Sequence, residues 1–183
     1  MNSKLVCALI LAATSVFATT LEKLALDDMI QKSTEIVRGR VTSVTALRRG
    51  ALIVTQVRLA VSERWKGAEA SSVDIFLHGG TFQGLRQTFS GTPELREGSE
   101  YVFVLWAGKS GNRQIIGLSQ GVLDIQPAPA AAVKDEAQPL AVRSAIVGML
   151  DPITREKTPD AGFKIPLNDL RIRVQRVLAQ ERQ

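Results

Sequence analysis

Residues Tyr101–Gly108, YVFVLWAG, are apolar throughout. A strand with one wet face alternates apolar and polar residues, so this run reads as a β-strand buried on both faces. Upstream the same chemistry appears with the alternation intact. In ALIVTQVRLAVSERW, Ile53, Val57, Leu59 and Val61 alternate with Gln56, Arg58, Ser62 and Arg64, the clearest strand in the chain. EIVRGRVTSVTAL reads as a strand with Gly39 in its interior, where a bulge or tight bend is expected. Ser72 to Leu77 is a third strand. Arg113 to Ile125 is a last strand, or a pair broken around Gly117 and Gly121.

Helical periodicity is confined to the two ends. Thr20 to Ser33 carries a rough helical stripe through Leu21, Leu24, Leu26, Met29 and Ile30, and predicts a short helix packed across a sheet edge. After Pro166, Leu167, Leu170, Val174, Val177 and Leu178 fall on one helical face. Residues 140–150 read as a short helix or an added strand, and 151–162 as loop. The expected fold is mainly β: a small OB-like Greek-key barrel with an N-terminal helix and a C-terminal amphipathic helix.

With 183 residues, 45% apolar and 22% charged, the chain has enough material for one domain with its own core. Its organisation reads as a signal peptide over 1–18, a barrel domain with the N-terminal helix over 19–126, a Pro/Ala linker over 127–139, and a C-terminal extension over 140–183. The signal reading rests on Lys4 followed by the apolar run Leu5 to Ala18, which closes on a small residue. Export to the periplasm or the medium follows, with no stable membrane insertion after cleavage. The lone Cys7 lies inside that run, so the mature chain forms no disulfide. Lys4 is the one charged side chain of residues 1–18, so the +5 of the full chain becomes +4. That balance attracts acidic surfaces.

Several chemistries lack their residues. Neither G-x-x-x-x-G-K-[ST] nor G-x-G-x-x-G is present in the glycine-rich stretch 78–98, HGGTFQGLRQTFSGTPELREG, so no nucleotide is expected there. One histidine and no cysteine in the mature chain argue against bound transition metal. A nucleophile–base–acid triad could use only His78, and no G-x-S-x-G elbow accompanies it. Glu94, Glu97 and Glu100 surround Pro93 and Gly98 in a solvated turn, with no sign of two placed carboxyls. Trp65, Phe76, Phe82, Phe89 and Trp106 could stack bases, but an exported chain rarely meets single strands. The expectation is therefore no catalytic set, no cofactor, no metal and no nucleic-acid partner.

What remains is binding. The 78–98 connection is long, and long ordered loops are often functional. Phe82, Arg86, Phe89 and Arg96 are its candidate binding residues, because aromatics and arginine dominate interface energetics. The competing reading is that these side chains fold under the loop and plug the barrel end. The partner expected is another exported protein, a protease being one candidate. Two other functions compete: an envelope hydrolase using His78 or the Glu94–Glu100 cluster, and a basic module that binds polysaccharide or anionic membrane through Arg171, Arg173 and Arg176.

STEIVRGRVTSV, VRLAVSERWKG and GSEYVFVLW, with Gly79–Gly80 and the Ile115–Gly121 stretch IIGLSQG, resemble a group of exported bacterial proteins of unassigned function. The resemblance covers residues 20–126. The same order is similar to the OB barrel of tissue inhibitors of metalloproteinases and netrin-like modules. Those inhibitors chelate zinc through an N-terminal cysteine and are stapled by disulfides. This chain has neither, so the resemblance implies a fold and an affinity for protein partners, and no functional residue.

Overall fold

The computed structural model describes residues 21–109, 111–128 and 138–181. The signal sequence expected at 1–18 and most of the linker expected at 127–139 lie outside them.

The alternating first half forms a long antiparallel hairpin of β1 (Glu35–Arg49) and β2 (Leu52–Lys66). The bend expected at Gly39 is present. The register slips between Arg38 and Gly39, and a β-carbon at Gly39 would lie 2.7 Å from the Ala60 carbonyl oxygen. β3 (Ser72–His78) pairs with β2. The expected long connection after it contains a small hairpin of its own, β4 (Gly80–Phe82) and β5 (Leu85–Gln87). β6 (Glu100–Ala107) is the strand apolar on both faces. β7 (Arg113–Ile115) and β8 (Val122–Gln126) are the expected pair, separated by a 3-10 turn at Leu118–Gly121.

These strands close into a ring. β1 pairs with β2, β2 with β3, β3 in parallel with β7 at Ile75 and Arg113, β7 with β6, and β6 back to β1. Five strands in this order, with the one parallel pair between β3 and β7, make an OB-like Greek-key barrel. Val37, Val57, Leu59, Ile75, Phe103 and Leu105 fill its interior. A cluster of charges holds the closing strand. Glu35, buried at the start of β1, accepts from Arg64 Nη1 of β2 at 2.7 Å and from Arg113 Nε of β7 at 2.6 Å.

A second core lies outside the ring. Ile36 of β1 and Val102 and Val104 of β6 point away from the interior and are buried against two helices. α1 (Leu26–Lys32) contributes Leu26, Met29 and Ile30; α2 (Leu167–Gln180) contributes Leu167, Leu170, Val174 and Val177. α1 thus packs on a sheet face rather than across an edge. It also begins later than Thr20, because the preceding backbone is engaged elsewhere. Lys23 N–H donates to Leu150 O at 2.9 Å and Leu150 N–H to Leu21 O at 2.8 Å. The fully buried Gln120 amide accepts from Leu24 N–H and donates to Glu22 O.

Residues 140–181 belong to the same sheet and core. β9 (Leu140–Arg143) pairs with β8, and β12 (Phe163–Pro166) with β9. Residues 140–150 are strands, the second being β10 (Ile146–Leu150). The stretch 151–162 is more than loop, since β11 (Lys157–Asp160) pairs with β10. A buried ion pair accounts for that. Arg143 Nη2 donates to both Asp160 carboxylate oxygens, at 2.6 and 2.7 Å, and draws β11 onto β9. α2 is fastened by Arg171 to Glu63 of β2 and by Arg173 to Asp27 of α1.

Two consequences are measurable. Asp160→Ala leaves the buried Arg143 guanidinium uncompensated and should cost about 3–5 kcal/mol in chemical denaturation. Burial alone would raise the Glu63 carboxyl, but hydrogen bonds from Trp65 and Arg38 and the charges of Arg171 and Arg38 outweigh it and hold the group below its ordinary range. A carboxylate lowered on folding stabilises fully above its unfolded value, near pH ~4.3, and loses that contribution as pH falls through the folded value. The melting-temperature gap between wild type and Glu63→Gln, present at neutral pH, should therefore close below about pH 4.

Candidate functional site at the barrel end

The site is built where β3 ends. Gly79 and Gly80 have φ of +90° and +138°, values that L side chains rarely adopt. A β-carbon at Gly79 would lie 2.6 Å from Gln87 O, and one at Gly80 2.5 Å from Thr55 Oγ1. The pair therefore lets the chain reverse and lay the β4–β5 hairpin down on β2. Three bonds fix it there. Gly79 N–H donates to Ile53 O at 2.8 Å, Thr55 Oγ1 to Gly79 O at 2.7 Å, and Ile53 N–H to Gln87 Oε1 at 2.7 Å.

The returning segment is held at both ends. Ser119 N–H donates to Gly91 O at 2.9 Å and Thr92 Oγ1 to His78 O at 3.3 Å. Further on, Val44 N–H donates to Glu97 Oε1 at 2.8 Å and Gly98 N–H to Val41 O at 2.8 Å. Between hairpin and returning segment lies an open cleft of about 540 Å³. Val44, Leu77 and Leu95 supply its apolar lining, and Arg86, Phe89 and Arg96 its rim. A polar cleft of about 460 Å³ lies alongside, sharing Thr92 to Arg96 and reaching Tyr101 and Asp124.

Three of the four candidate residues thus come together. Phe82 does not line the cleft; it pairs with Leu85 beside the hairpin turn. The alternatives of plug and binding surface divide by residue. Leu95 tucks against the barrel core, whereas Leu85 is 62% exposed and Phe89 39% exposed. Among the described residues Arg86 and Arg96 make no ion pair. Sequence reasoning missed Val44 and Leu77 as cleft residues. They are ordinary strand positions, far from the loop in sequence, and nothing local marks them.

The competing constellations are dispersed. His78 and Glu94 line the cleft, with the imidazole 5.6 Å from the Phe89 ring at a tilt of 55°. Glu97 is engaged by the β1 backbone, and Glu100 by Arg38 at 2.8 Å. Asp74 pairs with Arg58, whose hydrogen bond holds the carboxyl below its ordinary range. Among the described residues no three His, Cys, Asp or Glu side chains gather as metal ligands, and no helix is long and apolar enough to cross a membrane.

The seating of the hairpin is open to a direct check. Gly79→Ala should cost about 1–3 kcal/mol through strain at positive φ and expose the hairpin to limited proteolysis. Gly84→Ala carries strain at its own positive φ of +79° but has nothing within 4 Å of its β-carbon, so it should destabilise the turn without the clash with Gln87 O that unseats the hairpin. Comparison with protein-family models and with curated proteins finds no match for this chain.

Proposed function

We propose that this chain is an exported, non-enzymatic binding module that grips another exported protein at the cleft beneath the β4–β5 hairpin. The observation that carries the reading is the half-exposed Phe89 grouped with Arg86 and Arg96, which make no ion pair among the described residues, around one cleft, with the exposed Leu85 on the hairpin beside it. Exposing large apolar side chains on a loop costs solvation that burial in a partner would recover. Aromatic and Arg anchors at the centre of an interface contribute most of its affinity. The two-ended anchoring of the 88–98 segment keeps the cleft organised before binding, which lowers the entropy lost on association. Export rests on the Leu5–Ala18 run.

The rival uses of other residues have less support. A hydrolase built on the Glu94–Glu100 cluster would need its carboxyls to converge, yet Glu97 and Glu100 are committed elsewhere and Glu94 alone of the three lines the cleft with His78. The basic-module reading rests on Arg171, Arg173 and Arg176 of α2, and two of the three, Arg171 and Arg173, are engaged by Glu63 and Asp27.

Capture from the exported fraction of the source organism tests the proposal. The wild-type chain should retain one stoichiometric protein, and an Arg86→Ala, Phe89→Ala, Arg96→Ala variant with unchanged melting behaviour should lose it. Retention by that variant, or no partner with either form, would remove the cleft as the binding site.

A further inference from the structure

β1 loses its neighbour on one side halfway along its length. β6 pairs with it as far as Arg40 opposite Glu100. The chain ahead of β6 prolongs that pairing by two bonds, Val41 N–H to Ser99 O and Gly98 N–H to Val41 O. Glu97 Oε1 then accepts Val44 N–H. A turn closed by Ser99 N–H on Arg96 O carries the chain off the edge.

The register shows which main-chain groups face outward beyond that point. From Ser43 opposite Arg58 to Arg49 opposite Leu52 the β1–β2 pairing runs without a shift. Val44 N–H points away from β2, to Glu97, so by alternation the N–H and C=O of Ala46 and Arg48 do too. β2 agrees: Ile53, opposite Arg48, turns its own N–H and C=O away from β1, to Gln87 and Gly79. Among the described residues, no strand or loop pairs with Ala46 or Arg48 on the outward side. The side chains of Val44, Ala46 and Arg48 share the face on which the hairpin cleft opens. Val44 lines the cleft, and a β-carbon at Gly80 of β4 would lie 3.3 Å from that of Ala46.

This face is positive. Arg48, Arg86 and Arg96 make no ion pair among the described residues. Against them stand Glu94, the one carboxylate that lines the cleft, and Glu97, which accepts the Val44 N–H. Arg49 is turned to the other face, over the Phe76 ring. A free strand edge offers main-chain donors and acceptors at the repeat of an extended chain, and the ligand that matches that repeat is another extended polypeptide. A second copy on the same edge would bring two like-charged sets of arginines together. An acidic segment would not.

We propose that the partner docks as an extended segment that adds a strand to β1 at Val44–Arg48. It sets an apolar side chain into the cleft among Val44, Leu77 and Leu95, and acidic side chains toward the three arginines. Side chains on one face of a strand recur every second residue, about 7 Å apart, so the segment carries acidic and apolar residues at alternate positions. The inference rests on the cleft being the binding site. It adds how the partner's backbone is held and which side chains it presents.

The probe is a fluorescein-labelled peptide, Thr-Glu-Thr-Leu-Thr-Glu-Thr-Ser, titrated with the full exported chain and read by fluorescence anisotropy. Saturable binding is expected, and lysine in place of both glutamates should abolish it. Only every second amide of an added strand faces the edge. N-methylation of one alternate set of peptide amides should therefore abolish binding, and methylation of the other set should spare it. Ala46→Pro removes an outward N–H without touching a bond to β2, and should weaken binding about tenfold, the size of losing one or two main-chain hydrogen bonds. Arg86→Gln with Arg96→Gln should weaken it as much, whereas Arg176→Gln on α2 should leave it within about twofold. Variants are matched to the wild type by thermal melting, and the methylation comparison uses the wild type alone. No saturable binding, equal effects of the two methylated sets, or undiminished binding by Ala46→Pro would overturn the inference. In the capture experiment, retention of the exported protein by Ala46→Pro but not by the Arg86, Phe89 and Arg96 variant would overturn strand addition and keep the cleft. Retention by both would remove the cleft reading itself. A dimer in sedimentation, abolished by Ala46→Pro, would assign the edge to a second copy instead.

Discussion

Everything in this structure depends on covering β6 on both faces. Val102 and Val104 point one way, Phe103 and Leu105 the other, and all four are buried. Each fully buried large apolar side chain contributes about 1.5–3 kcal/mol, so neither face can be left to water. The ring of β1, β2, β3 and β7 covers one face, and α1 and α2 cover the other. β6 also has pairing partners on both edges, β1 on one and β7 with β8 on the other. A strand satisfied on two faces and two edges forces the chain to return to it from both ends.

Polar groups then decide how the covering pieces are joined. The parallel contact between β3 and β7 is one residue pair long, a weak seam by itself. Glu35 strengthens it by holding Arg64 and Arg113 together from β1, β2 and β7. Arg143 and Asp160 do the same for the β10–β11 hairpin, and Gln120 for the segment ahead of α1. Buried charges and amides of this kind are costly to leave unpaired, so each marks a position where the packing has one solution. The barrel they secure supplies the rigid frame for the hairpin cleft, which hangs from the ends of β2 and β3.

The strands β1, β2, β3 and β6 were legible in the sequence because alternation and continuous apolarity are local properties. So was the C-terminal helix, from its apolar stripe. The boundaries of α1 were not, because the bonds that hold residues 21–24 come from Leu150 and Gln120, far along the chain. β11 was hidden for a similar reason. KTPD has no strand pattern, and Pro159 argues against one; its place is fixed by β10 beside it and by Arg143 beneath it. Within the candidate site, Arg86, Phe89 and Arg96 were found by residue type, and Phe82 was grouped with them by the same criterion. Only the hairpin geometry separates Phe82 from the cleft.

The sequence by itself determined that this is a mainly β chain with a strand buried on both faces, helices at its two ends, and a glycine-rich excursion after the third strand. Those properties follow from side-chain periodicity and from backbone conformations that glycine alone accepts easily. Tertiary structure decided which residues meet. It closed the ring through β3 and β7, and turned Leu95 inward and Phe89 outward. Such neighbours are chosen by strand register and by buried ion pairs, and both are long-range: they exist only once distant parts of the chain have come together.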